Sequence, residues 1–378
     1  MFAKQTLLSA SLVALCGGAR VVRAEGDVPA HSDDEVHPLP ELHDLPPEHA
    51  VVRREPRQPT GYFTLGAGYS DDEGFVAAAT VAQEDLFHTG SQLSLHARLS
   101  AKRQLFLLRF ADPDVLGSRL GLSDDLYNDR RQRPGFTRAA AGNSLTLAHP
   151  LGEHVRAFVG YRLEQVEVSR DALWAARTIE PQPPLVGGVL SALRAGMVYD
   201  TRDVLDAPRR GTALGASIEI ADRRLGSELE FTRTQAWAQH HQPLGPLTLH
   251  LAGSFTTIAG PHGTPGSERL FLDSSLELRG YRPDTFGPID ALGRPIGADA
   301  KLLASAELEV PVVRRIGLSA IGFVDGGGLF DRDGQGQLGH SVGFGILWRS
   351  PIGALRFNWA VPLDGGSPSF VFGLGSAF

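Results

Sequence analysis

An Arg-Gly-Tyr sequence at residues 279–281 lies within residues 259–297, a long segment that separates two predicted strands. The guanidinium of Arg279 presents a planar fork of donors that can bind one carboxylate through two parallel hydrogen bonds. Such a contact, when buried, fixes an otherwise loose loop. The simpler alternative is a solvated loop arginine, so the first interpretation requires a buried carboxylate elsewhere in the sequence.

Two downstream carboxylates are candidates because strand periodicity places them away from the apolar side. Asp325 shares a face with Phe323, whereas Val324 and other apolar residues occupy the opposite face. Glu307 likewise opposes a face of Leu and Ala residues within residues 301–310. Side chains alternate between the two faces of a strand, so both carboxylates are predicted to point inward.

The sequence lacks the common signatures of enzymes and cofactor sites. It has no nucleophile elbow, P-loop or dinucleotide fingerprint between a strand and a helix. The net charge of −7 comes with no basic patch for nucleic acid. Residues 331–334 weakly resemble a calcium loop but are more simply a hairpin turn. We therefore expect no enzyme activity, no cofactor, no metal and no nucleic-acid partner.

The N-terminal region divides into two segments of different composition. Residues 1–24 combine Lys4, a short apolar stretch and a small-residue cleavage site, which is typical of a signal peptide, and they contain the only cysteine, Cys16. Residues 25–60 are rich in Pro, Asp, Glu and His, and we expect a disordered periplasmic tail. Its histidines recur every six residues, at His31, His37, His43 and His49. Loose zinc or copper binding is the alternative there to a solvated linker.

Residues 61–378 show period-two alternation and no convincing helical period. In residues 354–363, for example, Phe357 and Trp359 fall on one face while Arg356 and Asn358 fall on the other. About sixteen segments of roughly ten residues have the length that a tilted strand needs to cross a bilayer. Tight turns and longer loops join them alternately. The pattern predicts an all-β fold, a 16-stranded antiparallel transmembrane β-barrel over residues 61–378.

One segment leaves the strand count open. Residues 269–279 alternate like a strand and would be a seventeenth segment. Without them sixteen remain, an even number that returns both chain ends to the periplasm. The sixteen-strand interpretation places this segment inside the long loop.

Several motifs follow one another along the predicted barrel. Residues 278–281 read Leu-Arg-Gly-Tyr, residues 322–327 read Gly-Phe-Val-Asp-Gly-Gly, and residues 341–363 form the predicted penultimate hairpin. Residues 65–75 and 199–211 add two further motifs. Together they resemble the barrel of the Omp85 superfamily, the outer-membrane assembly and secretion proteins also called the surface antigen D15 family.

The resemblance implies partners for the loop arginine. In this family the long sixth outer loop folds back into the barrel, and its motif arginine pairs with the aspartate of the strand motif. Carried over to this sequence, the loop motif is Leu278, Arg279, Gly280 and Tyr281, and its lumenal partners are Asp325, Glu307 and Phe323.

The resemblance also implies a location and a function. It places the protein in the outer membrane of a Gram-negative bacterium, in contact with membrane lipid, where it inserts or translocates outer-membrane or secreted polypeptides. The wall is expected to open at the seam between its first and last strands, because glycine weakens a strand ladder. The predicted seam residues are Gly66, Gly68, Gly373, Gly375 and Phe378.

The sequence departs from the family before the barrel. Most members carry periplasmic POTRA domains there, and residues 25–60 are too few and too polar to form one. This departure argues against client capture by POTRA domains of the chain and against a direct transfer of the assembly role, and it leaves open whether a separate periplasmic partner replaces them. A passive outer-membrane channel that keeps the fold without insertase activity is the alternative function.

Overall fold

A computed structural model of the protein describes residues 61–70, 73–170, 185–205, 207–290, 293–350 and 353–374. These residues form one antiparallel sheet of sixteen strands, and each strand pairs with its neighbours in the chain. No helix among them is long and apolar enough to cross a membrane. The predicted signal peptide and tail lie outside the described residues.

The strands are numbered in chain order. The first eight are β1 (Gly61–Ser70), β2 (Gly74–Leu86), β3 (Ser91–Leu99), β4 (Arg103–Asp112), β5 (Gly121–Arg133), β6 (Phe136–Pro150), β7 (Val155–Arg170) and β8 (Gly188–Asp200). The last eight are β9 (Gly211–Ala221), β10 (Phe231–Leu244), β11 (Leu247–Ala259), β12 (Ala300–Val313), β13 (Leu318–Phe330), β14 (Gly336–Ser350), β15 (Gly353–Pro362) and β16 (Ser369–Leu374). The sixteen-strand prediction is confirmed.

The two faces of the wall differ as the sequence predicts. Val324 in β13 and Phe344 in β14 point outward and are 54% and 64% exposed. Asp325 and Arg356, one position away from outward-facing residues, are buried on the inner face. Apolar side chains that face outward suit a hydrocarbon environment, and the ladders between consecutive strands satisfy their backbone groups there. The fold is a 16-stranded transmembrane β-barrel.

The longest connection between consecutive strands lies at one end of the barrel. Residues 260–299, here called loop 6, join β11 to β12, and residues 222–230 join β9 to β10 at the same end. At the opposite end β10 and β11 are joined by residues 245–246 alone. The connection at 201–210 is longer than a tight turn, and the side chain of Asp203 organises it by accepting hydrogen bonds from the backbone N–H groups of three residues within it.

Residues 269–279 form no strand and belong to loop 6, as the sixteen-strand interpretation requires. Its backbone forms turns, in which the N–H of Glu277 donates to the carbonyl of Ser274 and that of Tyr281 donates to Leu278. The alternation in its sequence has another cause. Leu278 packs into an apolar cluster inside the barrel, while polar side chains such as Asp273 and Glu277 meet charged residues of the wall.

Candidate functional site in the lumen and at the seam

Loop 6 is held inside the barrel by an apolar cluster. Its members are Leu272, Leu278, Phe286 and Ala298 of the loop and Leu329 of β13, and all are buried. Removing these side chains from water favours the folded-back loop, at roughly 25 cal/mol for each Å² of apolar surface buried. The cluster positions the charged residues of the loop against the wall.

Arg279 binds two carboxylates on neighbouring strands. Its Nε and Nη2 atoms donate to the two carboxylate oxygens of Asp325 in β13, at 2.7 Å each. Its Nη1 donates to Glu307 in β12 at 2.6 Å. The Arg279 residue is 1% exposed, so the contact is a desolvated, bidentate ion pair of the kind that fixes geometry strongly.

Three further groups complete the surroundings of this arginine. The guanidinium lies over the ring of Phe323, 3.4 Å from its centroid, and Nη2 also donates to Ser305 at 3.1 Å. Arg356 of β15 donates to the other side of Glu307 at 2.9 Å. Burial opposes the charge of Arg279, but its hydrogen bonds and charge interactions with Asp325 and Glu307 raise its pKa above the ordinary value. We call Arg279, Asp325, Glu307 and Arg356 the loop clamp.

Gly280 and Tyr281 extend the contact to β14. Gly280 has a φ of +99°, which favours glycine, and a Cβ there would lie 3.3 Å from Cβ of Ser341. The Tyr281 hydroxyl donates to the carbonyl of His340 and accepts from its N–H, at 3.0 Å each. Its ring packs edge-on against Phe286. The structure thus brings all four motif residues to β12, β13 and β14.

A second ionic contact ties loop 6 to the far wall. The carboxylate of Asp273 meets Arg131 and Arg133 of β5, at 3.0 and 2.6 Å, and Lys301 of β12 at 3.0 Å. Burial acts to raise the pKa of Asp273, but Lys301 and the two arginines outweigh it and hold the pKa well below its usual range. Because β5 and β12 lie on different parts of the wall, this contact makes loop 6 span the lumen.

A third contact inserts a loop residue into a ring of alternating charges. Glu268 binds Arg138 of β6 at 2.7 Å and Arg233 of β10 at 3.0 Å. The remaining links run through wall residues at 2.5 to 3.4 Å. In order, the ring is Glu268, Arg138, Glu164, Arg162, Glu219 and Arg233. Each charge has an opposite charge on both sides, which offsets the cost of burial.

The acidic turn at residues 331–334 has a structural partner. Asp331 forms an ion pair with Arg269 at the base of loop 6, and the N–H of Gly334 donates to the carbonyl of Asp331 within the turn. Among the residues that the structure describes, no group of three or more His, Cys, Asp or Glu side chains is arranged to hold a metal ion.

The contact between the first and last strands differs from the contacts between the other neighbouring strands. β1 and β16 are neighbours in space, yet no hydrogen-bonded ladder joins them among the described residues. Gly66 and Gly68 pair with Ala78 and Val76 of β2, and Gly373 pairs with Arg356 of β15. Gly375 and Phe378 lie outside the described residues.

A barrel with its sixth loop clamped inside to the motif aspartate is the arrangement that the sequence resemblance implies. The model of the Omp85 superfamily domain matches residues 85–378. The chain belongs to the Omp85 superfamily. Its barrel is therefore an outer-membrane barrel of the Gram-negative type.

Individual Omp85 relatives agree with this assignment. The chain is 29% identical over 335 residues to the outer membrane protein assembly factor BamA of Nitratidesulfovibrio vulgaris, covering 85% of this chain and 42% of the relative. It is 27% identical over 382 residues to BamA of Neisseria meningitidis, covering 84% of this chain and 47% of the relative. The chain thus spans less than half the length of these two relatives.

The fold also matches a solved Omp85 structure. The crystal structure of BamA from Haemophilus ducreyi lacking POTRA domains 1-3 superposes with a TM-score of 0.70 and 19% sequence identity. The match covers 83% of this chain and 70% of that chain. At this identity the similarity concerns the fold.

Sequence reasoning missed most of the ionic contacts of this Omp85 loop. Arg162, Lys301 and Arg356 stand on faces that the alternation marks as inward, and a buried charge requires a partner. That requirement was a usable signal for charged partners. It could not show that Asp273 and Glu268 of the loop would be among them.

Proposed function

We propose that this Omp85 barrel inserts or translocates polypeptides at the outer membrane, and that its wall opens at the seam between β1 and β16. The observation that carries the proposal is the seam itself, the one pair of neighbouring strands without a ladder among the described residues. An edge strand presents unpaired N–H and C=O groups that can pair with an incoming strand. Such an edge within lipid is unfavourable unless a partner strand fills it.

The relatives support the same proposal. Two of them carry the name outer membrane protein assembly factor, and the clients we propose for this chain are accordingly outer-membrane or secreted polypeptides. The proposed process is a rearrangement of non-covalent contacts and requires no enzymatic step. We also propose that a periplasmic protein delivers clients to the barrel, since strand addition needs an unfolded chain close to the seam.

The alternative, a passive channel, has weaker support because loop 6 occupies the lumen. The loop is anchored to separate parts of the wall, through Arg279 to β13, through Asp273 to β5 and through Glu268 to β6 and β10. Several buried ion pairs would have to break before the lumen cleared. Removing one partner of such a pair costs about 3–5 kcal/mol, so spontaneous clearing is rare.

Reconstitution tests the proposal directly. The purified protein is placed in lipid vesicles, an unfolded outer-membrane β-barrel is added, and its folding is followed by the heat-modifiable gel shift. We expect faster client folding than in matched vesicles that contain an unrelated 16-stranded porin. Client folding at the porin rate, together with steady ion conductance in a planar bilayer, would instead support the passive channel.

A further inference from the structure

The side chain of Leu276 in loop 6 occupies the space beside Gly373 in β16. A Cβ atom on Gly373 would lie 2.6 Å from Cδ1, 3.2 Å from Cδ2 and 3.3 Å from Cγ of Leu276. Real side chains do not approach so closely, so an alanine at this position would displace the leucine. Glycine at position 373 therefore leaves room for the loop.

Leu276 is itself held by its neighbours in the loop. Its N–H donates to the hydroxyl of Ser274 at 3.1 Å, and three residues later Arg279 is fixed in the loop clamp. The wall supplies a second connection, because Gly373 pairs across the strands with Arg356, which binds Glu307 of the same clamp. The inner face of β16 is thus joined to the clamp both by packing and through β15.

The outer face of β16 has a different kind of contact. Phe370 packs on Trp359 and Phe372 packs on Phe357, each with ring centroids 5.0 Å apart. These aromatic pairs join β16 only to β15, its neighbour in the chain. The contact of Leu276 with Gly373 is different, because it connects the last strand to loop 6, which is distant in the sequence and is fixed to several strands.

From this geometry we infer that Leu276 is a positioning residue for β16. Loop 6 holds the last strand in its place at the seam through the contact of Leu276 with Gly373. If the wall opens at the seam, as we propose, movement of β16 is then coupled to loop 6. This consequence rests on the proposed function. The inference also gives Gly373 a role different from the one that the sequence predicts, which was to weaken the ladder.

The two explanations of Gly373 predict opposite signs for one substitution. If glycine only weakens the ladder, Gly373→Ala should raise the temperature at which the folded band disappears in the gel-shift assay, whatever residue stands at 276. If Leu276 fills the space, Gly373→Ala should lower that temperature by roughly 2–4 °C. In a Leu276→Ala background, where the space is empty, the added methyl group should not lower that temperature.

A matched control is available in β13. Gly322 is also a strand glycine, but a Cβ there would meet nothing within 4 Å. Gly322→Ala should therefore leave the temperature unchanged or slightly raised in both backgrounds. Equal effects of Gly373→Ala with and without Leu276, or a rise in the wild-type background, would overturn the inference.

A second readout separates positioning of β16 from general stability. The barrel contains no cysteine, so one cysteine at position 370 can be tested against cysteines at 63, 65 and 67 for disulfide formation across the seam. Leu276→Ala should reduce the yield of the best pair, and Leu276→Met, which keeps the volume, should restore it. A pair at Val324 and Val342, partners in β13 and β14, should be unaffected.

These measurements need no client and no activity. A seam yield that is unchanged by Leu276→Ala would refute the positioning role even if the barrel inserts polypeptides. Conversely, a barrel that fails to fold any client can still show the predicted interaction between the substitutions at 276 and 373 and the predicted yield of the seam disulfide. The failure of the inference and the failure of the proposed function are therefore distinguishable.

Discussion

Arg279 and Asp325 are joined by two parallel hydrogen bonds of 2.7 Å, although they are separated by 46 residues in the sequence. The pair connects the centre of loop 6 to β13 inside the barrel. Because Glu307 binds the same guanidinium, the contact fastens the loop to two adjacent strands. Loop 6 is thereby fixed to the inner face of the barrel wall.

Breaking this pair should release the loop. Arg279→Ala or Asp325→Ala leaves a charged partner buried, at a cost on the order of 3 kcal/mol. We expect faster protease cleavage within loop 6 and disappearance of the folded gel band at a lower temperature. Arg279→Lys should show nearly the same loss of protease protection as Arg279→Ala, because an ammonium group lacks the planar fork of donors.

Arg282 provides the matched control for that experiment. It lies in the same loop and pairs with Asp284, but its side chain is 66% exposed. Exposed ion pairs contribute little, so Arg282→Ala should behave like the wild type. If Arg279→Ala and Asp325→Ala also keep wild-type protection, the clamp does not hold the loop.

Glu268 should matter for the other end of loop 6. Glu268→Ala removes the shared partner of Arg138 and Arg233, and we expect a loss of about 3 kcal/mol. The control is Glu230→Ala, whose partner Arg223 has a side chain that is 71% exposed. Thermal unfolding in detergent measures the stability of both variants. If the two substitutions have equal, small effects, the charged ring does not stabilise the barrel.

The loop should hold well into acid. The pKa of Asp273 is lower in the folded barrel than in the unfolded chain, so its contribution is fully present above the unfolded pKa of about 3.9. It is lost only as the pH falls through the lower, folded pKa. The stability difference between wild type and Asp273→Asn should therefore stay constant from neutral pH to about pH 5 and shrink at lower pH. A difference that shrinks already between pH 7 and pH 5 would contradict this assignment.

Residues 25–60 should be dispensable for folding of the barrel, because their composition buries little apolar area. The deletion variant is refolded into detergent, and its heat-modifiable gel shift is compared with that of the full chain. An unchanged shift is expected. Failure of the variant to fold would show that the tail is structural.

The sequence was most informative where burial follows a period of two. The wall strands were predicted closely because lipid outside and charge inside impose alternation on each of them. The largest errors have tertiary causes. The start of β14 at Gly336 is not marked in the sequence, because glycines hide the alternation there. A Cβ at one of them, Gly339, would lie 2.7 Å from the ring of Tyr281.

In the lumenal site, too, local sequence patterns predict some residues, whereas others depend on tertiary contacts. Motifs led to Arg279, Asp325, Glu307 and Phe323, since these lie in short recognisable segments. The partners of Asp273 and Glu268 are on strands distant in the sequence, and no local pattern selects one inward arginine over another. Likewise, the strand-like alternation of residues 269–279 arises from contacts with the inside of the barrel that only the folded structure brings together.

Locking the seam tests the central claim most directly. Single cysteines placed in 62–68 of β1 and in 370–374 of β16 can form only the intended disulfide, because the barrel has no other cysteine. With the vesicle assay for client folding, we expect activity to be lost on oxidation and regained on reduction. A control lock between Val324 and Val342, partners in β13 and β14, should have no effect. A barrel that folds clients at the full rate with its seam locked would contradict the account.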